Sequence, residues 1–399
     1  MSSSPQKFQA DMLSQPATLL AAARAMQSKL HSRKPGDEVT CQLSPETIAD
    51  FVRYGFFKVL RPARFGGLEM PAPVLFEIEI ALAEADMSAA WVMSNMNVAA
   101  FHAALFSPQA QAELWQTNEE ALIASSNMPG GRLTRSPGGG YRLSGFWRFS
   151  SGAAYADWFV LGAFAENEGE QVAGGCLVPR KDVTVLPDWD VVGLRGTGSN
   201  AIRVEEVEVP GHRFLPHIDR FHGTAPGLEI NTGPLFRLPL PQLLFRSISS
   251  ASIGGLKGML DLFLERNRDR TSMMAQRIAE DPHVRALCGT VDADLQALHG
   301  GMEHDLATLA NTGNPGNADD LAFRRRARLN TTRITENCFQ QAAALYRAAG
   351  AAALYSGSSF LMFFNDLLAA RQHAANQFEI HARNDGAQLF GQDREDILL

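Results

Sequence analysis

The feature that most constrains this chain is a change of period in its middle. Up to about residue 125, and again from 242 to about 383, apolar side chains recur three and four positions apart, the spacing of helices. Pro16–Leu30 and Pro73–Ala100 carry the pattern at the front. Leu256–Arg270, His283–Leu309, Asp319–Ala351 and Ser359–Ala375 carry it at the back. Between 126 and 225 the period drops to two. Tyr141 to Phe149 alternates, Trp158–Leu161 is a short apolar run, and Ile202–Val204 with Val207–Pro210 ends a further β stretch. The reading is a mostly α chain with a central β domain: an N-terminal helical domain (1–125), a β-barrel or sandwich middle domain (126–225) and a C-terminal four-helix bundle (226–399). Gly313-Asn314-Pro315-Gly316 marks a hairpin turn between two of the bundle helices.

Charge and cysteine usage narrow the class. Lys and Arg number 36 against 43 Asp and Glu, a net charge of −7. A general nucleic-acid binder or a polybasic membrane protein is basic, so both are disfavoured. No apolar run reaches about 18 residues, so no membrane span is expected. Cys41, Cys176, Cys288 and Cys338 are scattered without C-x-x-C, which fits neither a disulfide framework nor zinc. Scattered thiols and a polar Met1–Gln15 without a signal-peptide plan suggest a cytoplasmic protein.

Much familiar chemistry is missing. His299 and His304 are five apart and do not share a helix face well. His212, His217 and His222 fall in an expected loop without an evident carboxylate partner, so no metal site is expected. There is no G-x-S-x-G elbow and no P-loop, and Gly193 to Ser199 is not G-x-G-x-x-G. Arg324-Arg325-Arg326-Ala327-Arg328 reads as a solvated or subunit-contacting helix face.

What is present is Trp147-Arg148-Phe149-Ser150-Ser151-Gly152, a strand end carrying aromatics and then two hydroxyls. A flat ring could lie against the aromatics and bond the hydroxyls, although a buried core Trp in a β-turn explains the same residues. Together with Gly55-Phe56-Phe57, Pro62, Phe65-Gly66-Gly67, Ser88-Ala89-Ala90-Trp91-Val92, Phe106 to Gln111, and Gly193 to Ser199, the chain resembles the acyl-CoA dehydrogenase fold over nearly its whole length.

In dehydrogenases of that fold a catalytic Glu follows an Arg-Asp pair in the last helix. Here the pair reads Asn365-Asp366 and the matching position falls near Ala374, so α-proton abstraction has no agent. Phe363-Phe364-Asn365-Asp366 followed by Arg371-Gln372-His373 resembles instead the flavin-dependent monooxygenases that share the fold, the oxygenase components of two-component aromatic hydroxylases.

The resemblance implies reduced flavin (FMN or FAD) and O2 as cofactors, a flavin C4a-hydroperoxide as the oxygen donor, and a separate NAD(P)H-flavin reductase as partner. It implies His373 as the catalytic histidine, two helical turns beyond Asp366 on nearly the same face. Its ordinary pKa near 6.5 would suit acid–base work. Ser151, with Ser150 as second choice, would bond the flavin edge near N5. Trp147, Phe149, Asp366 and Arg270 would complete cofactor binding. The substrate pocket would involve Asn97, Phe101, His102, Phe245 and Phe364. Phenol hydroxylases of the group carry a second histidine in the helix before Phe106. The matching position here is Ala99, so an electron-rich ring that need not ionise, such as an indole, fits better than a simple phenol. The resemblance also implies a homo-oligomer, with a tetramer expected. The small residues of Ala342–Leu354 would suit close helix contact between subunits. The alternative is an acyl-CoA dehydrogenase-like FAD oxidoreductase with a relocated base.

Overall fold

The computed structural model describes residues 15–167, 170–271, 276–311 and 318–392. Helix α1 (Pro16–Thr40) leads to α2 (Pro45–Arg53), α3 (Ala72–Ala83), α4 (Met87–Ala103) and α5 (Pro108–Trp115). The run expected as one helix over 73–100 is two. The chain turns at Glu84–Asp86, and the Asp86 carboxylate caps α4 by accepting the Ser88 N–H at 2.9 Å. Helix α1 continues ten residues beyond Leu30, through Pro35, because its far end is buried: Lys34 and Asp37 both face inward.

The middle of the chain is one seven-stranded mixed sheet in the order β5-β6-β2-β1-β3-β4-β7. Its strands are β1 (Ile123–Arg135), β2 (Tyr141–Ser150), β3 (Trp158–Asn167), β4 (Glu170–Pro179), β5 (Thr184–Leu186), β6 (Asn200–Val209) and β7 (Phe214–Pro216). All neighbours are antiparallel except β1 and β3. Trp147 is the plug of this sheet. It is 2% exposed and donates its indole N–H to the Gly162 carbonyl at 2.7 Å. A Cβ on Gly131 or Gly145 would lie 2.4 or 2.5 Å from its ring, so those glycines make the room it fills.

Short helices α6 (His217–His222) and α7 (Leu240–Arg246) lead into the long helices α8 (Ala251–Asn267), α9 (Pro282–Asn311), α10 (Ala318–Ala349) and α11 (Ser359–Gln372), and α12 (Phe378–Leu389) packs on α10. Helices α8 to α11 form the expected bundle. Residues 313–316, expected as its hairpin turn, lie outside the described residues. The stripe on α10 is spent inside the chain: Ala342, Leu345 and Ala349 are fully buried in its own core. The arginine run is also not a solvated face. Arg324, Arg325 and Arg328 are buried, and Arg324 pairs with Asp320 at 2.7 Å. No helix among the described residues is long and apolar enough to cross a membrane.

Candidate active site

The site forms where α4, the turn after β2 and the end of α11 meet. Trp91, in the first turns of α4, donates its indole N–H to Ser151 Oγ at 3.1 Å, and its ring centroid lies 5.9 Å from that of His373. One side chain therefore joins the two residues expected to do chemistry, although they are far apart in sequence. The turn carrying Ser151 is fixed by Gly152, whose N–H bonds the Thr197 carbonyl at 3.0 Å.

Ser151 opens a file of hydroxyls. Its Oγ lies 2.8 Å from Ser199 Oγ, which lies 2.7 Å from Thr197 Oγ1, and Thr197 donates to the Leu194 carbonyl at 2.8 Å. All these contacts are satisfied at once by one arrangement of protons. Thr197 gives its proton to Leu194, Ser199 gives to Thr197, and Ser151 gives to Ser199. The Ser151 oxygen then accepts from Trp91 and has one lone pair left.

His373 is not on the helix face expected of it. Helix α11 ends at Gln372, and His373 takes an extended backbone (φ −59°, ψ 134°) in which its Nδ1 accepts the Ala375 N–H at 3.1 Å. That bond fixes the tautomer: Nδ1 is the acceptor, so Nε2 carries the hydrogen and is free to donate. Burial, and next the charge of Arg328, pull its pKa down to about 4, so the ring is neutral near pH 7. Arg328 donates to the Ala375 carbonyl and lies 3.6 Å over the Phe245 ring, and Asn376 donates to the Ile248 and Ala370 carbonyls. The segment after α11 is thus held from three sides.

Beside this open group lies a closed one. Lys34 and Asp366 are buried and meet at 2.5 Å, with Asp86 at 3.4 Å and Glu38 at 3.7 Å from the same ammonium. Burial disfavours the Lys34 charge, but Asp366, Asp86 and Glu38 outweigh it and hold its pKa above the usual lysine range. Burial, and next the Asp366 charge, push Glu38 up to about 7. The other Asp366 oxygen accepts the Leu194 N–H at 2.6 Å, which holds Leu194 in a left-handed conformation (φ 53°). Both oxygens of Asp366 are engaged within the protein, and through Leu194 it positions the 193–199 loop. A Cβ on Gly193 would lie 2.0 Å from the Asn365 carbonyl, the same close seam.

The other expected residues divide. Phe149 is 63% exposed with φ 64°, edge-on to Trp189 at 6.0 Å, and is open to a flat ligand. Ser150 is buried, and its hydroxyl reaches only the Ser125 carbonyl at 3.4 Å, so Ser151 is the available serine. Trp147 belongs to the sheet core. Asn97 is a buried brace: it accepts the Leu60 N–H and donates to the Phe56 and Met93 carbonyls, which uses both its amide hydrogens. Phe101 stacks on Phe236, and Phe364 stacks on Tyr346 at 4.5 Å between α10 and α11, so both serve packing. Phe245 faces Arg328 beside the His373 segment. Arg270 caps the end of α10 by donating to the Ala349 carbonyl at 3.2 Å. His102 is buried and accepts a hydrogen bond from Arg220 at 2.9 Å. His217 and His222 lie on α6, and His212 has a carboxylate partner after all, Glu113 at 2.9 Å. Among the described residues one group, Glu77, His299 and Glu303, has metal-like spacing, and its Glu77 already bonds His299 at 2.6 Å.

Sequence reading missed Lys34, Asp86 and Arg220. The motifs containing Trp91 and Ser199 were visible, but not the bonds that tie both side chains to Ser151.

The family described as acyl-CoA dehydrogenase, C-terminal domain, matches residues 247–378. With the helix–sheet–helix architecture, that defines the class as an acyl-CoA dehydrogenase fold. The chain is 34% identical over 363 residues to the flavin-dependent monooxygenase oxygenase subunit HsaA of Rhodococcus jostii, covering 89% of this chain and 94% of that one. It superposes on the crystal structure of the HsaA monooxygenase from M. tuberculosis with a TM-score of 0.89, at 31% identity, over 96% of this chain and 100% of that one. It is 26% identical to the indole-3-acetate monooxygenase of Pseudomonas putida, over 94% of this chain and 96% of that one. The chain belongs to the flavin-dependent monooxygenases, as the oxygenase component of a two-component enzyme.

Proposed function

We propose that this chain uses reduced flavin and O2 to add one oxygen atom to a small, electron-rich aromatic or heteroaromatic ring, with an indole-type ring favoured over a simple phenol. The observation that carries the reading is the Trp91 bridge. It holds a serine with a spare lone pair and a histidine with a spare N–H at one wall. That donor set fits a reduced flavin, whose N5 bears a hydrogen: Ser151 would accept it, His373 Nε2–H would donate to oxygen at the ring edge, and exposed Phe149 would lie against the ring system. When bound, the reduced flavin supplies the electrons that activate O2, so that one oxygen atom enters the substrate and the other leaves as water.

The residues supply the rest. Ser151 retains the N5 hydrogen, neutral His373 keeps its proton available as a hydrogen-bond donor, and the apolar surroundings of Phe245 and Ile248 limit water. The preference for a ring that need not ionise rests on His102. Its Nε2 lone pair is taken by Arg220, and burial, followed by the charge of Arg220, holds its pKa well below the ordinary value, so it is a poor base for a phenol. The name of the P. putida relative points the same way. The dehydrogenase alternative is weakened by Glu379, the nearest carboxylate after Ala374, which is solvent-facing and bonded to Arg371 at 2.8 Å.

The implied partner is a separate NAD(P)H-flavin reductase, and the expected setting is the cytoplasm. A homo-oligomer is proposed on the exposed Leu354, Tyr355, Leu389 and Phe390, in place of the α10 stripe. The test is turnover of an aromatic panel with a generic flavin reductase, NADH and O2, read by mass spectrometry for one added oxygen. Absence of any such product across phenols and indoles, with peroxide alone formed, rejects the reading.

A further inference from the structure

The arginine run on α10 is put to different uses along its length. Arg324 answers Asp320 at 2.7 Å, and Arg326 reaches across to Asp385 on α12 at 2.9 Å. Arg328 reaches instead the segment after α11. It is buried, its Nη1 donates to Thr331 Oγ1 at 3.1 Å, its Nη2 donates to the Ala375 carbonyl, and its Cζ lies 3.6 Å from the centre of the Phe245 ring. The flat face and the fork of donors are both in use, a combination that arginine offers and lysine does not.

Ala375 links that contact to the chemistry. Its carbonyl takes the Arg328 hydrogen bond, and its N–H is the one that His373 Nδ1 accepts at 3.1 Å. A guanidinium that fixes Ala375 therefore also fixes the donor that sets the His373 tautomer. Protonation would undo the arrangement. An imidazolium carries a hydrogen on Nδ1 as well, and that hydrogen would meet the Ala375 N–H, donor against donor. The Arg328 charge opposes that protonation, as the second cause after burial of the lowered His373 pKa.

The other elements around the segment bring neutral groups or charges already answered. From α4 the ring meets Trp91, and the connection between α7 and α8 meets the segment through the Ile248 carbonyl, bonded by Asn376. At the end of α11, Arg371 is answered by Glu336 at 2.9 Å and Glu379 at 2.8 Å.

We propose that Arg328 is a positioning residue for the oxygenation reaction: acting through Ala375, it holds His373 in the tautomer and orientation that leave Nε2–H free to donate in the site. This rests on the oxygenase reading and deepens it. Two parts of the action are separable. The charge keeps the ring neutral, and the fork keeps Ala375 in place.

The experiment is an NMR titration of the labelled histidines of the full chain, with the His373 signal identified by its loss in His373→Gln. Product and peroxide yields with a generic flavin reductase, NADH and O2 are measured beside it between about pH 5.5 and pH 8. In the parent, His373 should carry its hydrogen on Nε2 and titrate near pH 4. Arg328→Met should raise that midpoint toward 6.5. Its product yield should then fall about 10- to 100-fold as pH is lowered through the new midpoint, the scale of a misplaced reacting group, with peroxide taking the lost flux. Arg328→Lys keeps the charge and loses the fork, so its midpoint should stay low while peroxide rises at every pH. A parent with the hydrogen on Nδ1 or with an ordinary midpoint overturns the assignment. So does a parental midpoint in Arg328→Met, or parental coupling in Arg328→Lys. An arginine that served the fold alone would lower the unfolding temperature of both variants without moving the His373 midpoint. The titration needs no turnover, so a parent that oxygenates nothing rejects the oxygenase reading and leaves the titration to decide the role of Arg328.

Discussion

Seven residues separate Asp366 from His373, and the two ends of that stretch are opposites. Asp366 is buried with both oxygens engaged, one by Lys34 and one by the Leu194 N–H. His373 sits past the end of the same helix with one nitrogen engaged and the other free. The first arrangement is complete without a ligand. The second, like Ser151 beside it, has hydrogen-bonding capacity left over. In this fold a polar residue in register with a family motif is not thereby a site residue. What distinguishes the two is whether the protein has already used its donors and acceptors.

The largest effect that would test this division is catalytic. His373→Ala should reduce hydroxylation by about 10²–10⁴-fold, the cost of losing a positioned proton donor, with the lost flux appearing as hydrogen peroxide. The fold should lose only about 1 kcal/mol, that of one capping bond. A parent-like rate and peroxide leak would break the comparison and move the proton donor elsewhere.

Asp366 should behave the other way round. Lys34→Met leaves buried carboxylates unanswered and should cost about 3–5 kcal/mol in urea unfolding, whereas the double change Lys34→Met with Asp366→Leu should cost less. A Lys34→Met protein of parental stability would show the ion pair to be idle.

The third effect is a pH dependence. The folded pKa of His373 is about 4, against about 6.5 in an unfolded chain, so between those values the unfolded chain binds more protons. The neutral ring's contribution is therefore full above pH 6.5 and is lost as pH falls toward 4, up to about 2 kcal/mol at pH 5. His373→Gln should remove that part of the slope when unfolding is compared at pH 7 and pH 5. Near pH 6.5 the hydroxylation rate should show no break assignable to His373.

The smallest effect belongs to Ser151. Ser151→Ala removes one hydrogen bond to a bound ring and should raise the peroxide leak by up to about tenfold, read by a peroxide-coupled assay beside product formation. An unchanged leak would move the contact elsewhere.

The helix–sheet–helix plan was legible because it lies in local periods that each segment carries by itself. Ser151 and His373 became candidates only through register with a family pattern, since a lone serine or histidine says nothing. Trp147 and Asn97 show another limit: composition cannot tell a polar tip that binds a ligand from one that braces a neighbouring backbone, and here both bond backbone carbonyls. Lys34 was invisible for another reason. Its partner lies 332 residues away, and a lysine next to Pro35-Gly36 reads locally as the end of a helix rather than a buried charge. Arg220 shows the same limit, because its bond to His102 joins residues 118 positions apart.

The file of hydroxyls from Ser151 to Leu194 has a consequence for traffic through the enzyme. Every proton in it points away from the site, so at Ser151 the file shows an oxygen and no hydrogen. With the flavin seated as proposed, the reduced ring brings an N–H to that oxygen and is welcomed. The oxidised ring brings a bare nitrogen to the same place, lone pair facing lone pair, and is turned out. Such a gate reads the redox state of its guest by the presence of one hydrogen. For a protein that must borrow its flavin from elsewhere and return it spent, that preference would set the direction of exchange without any moving part.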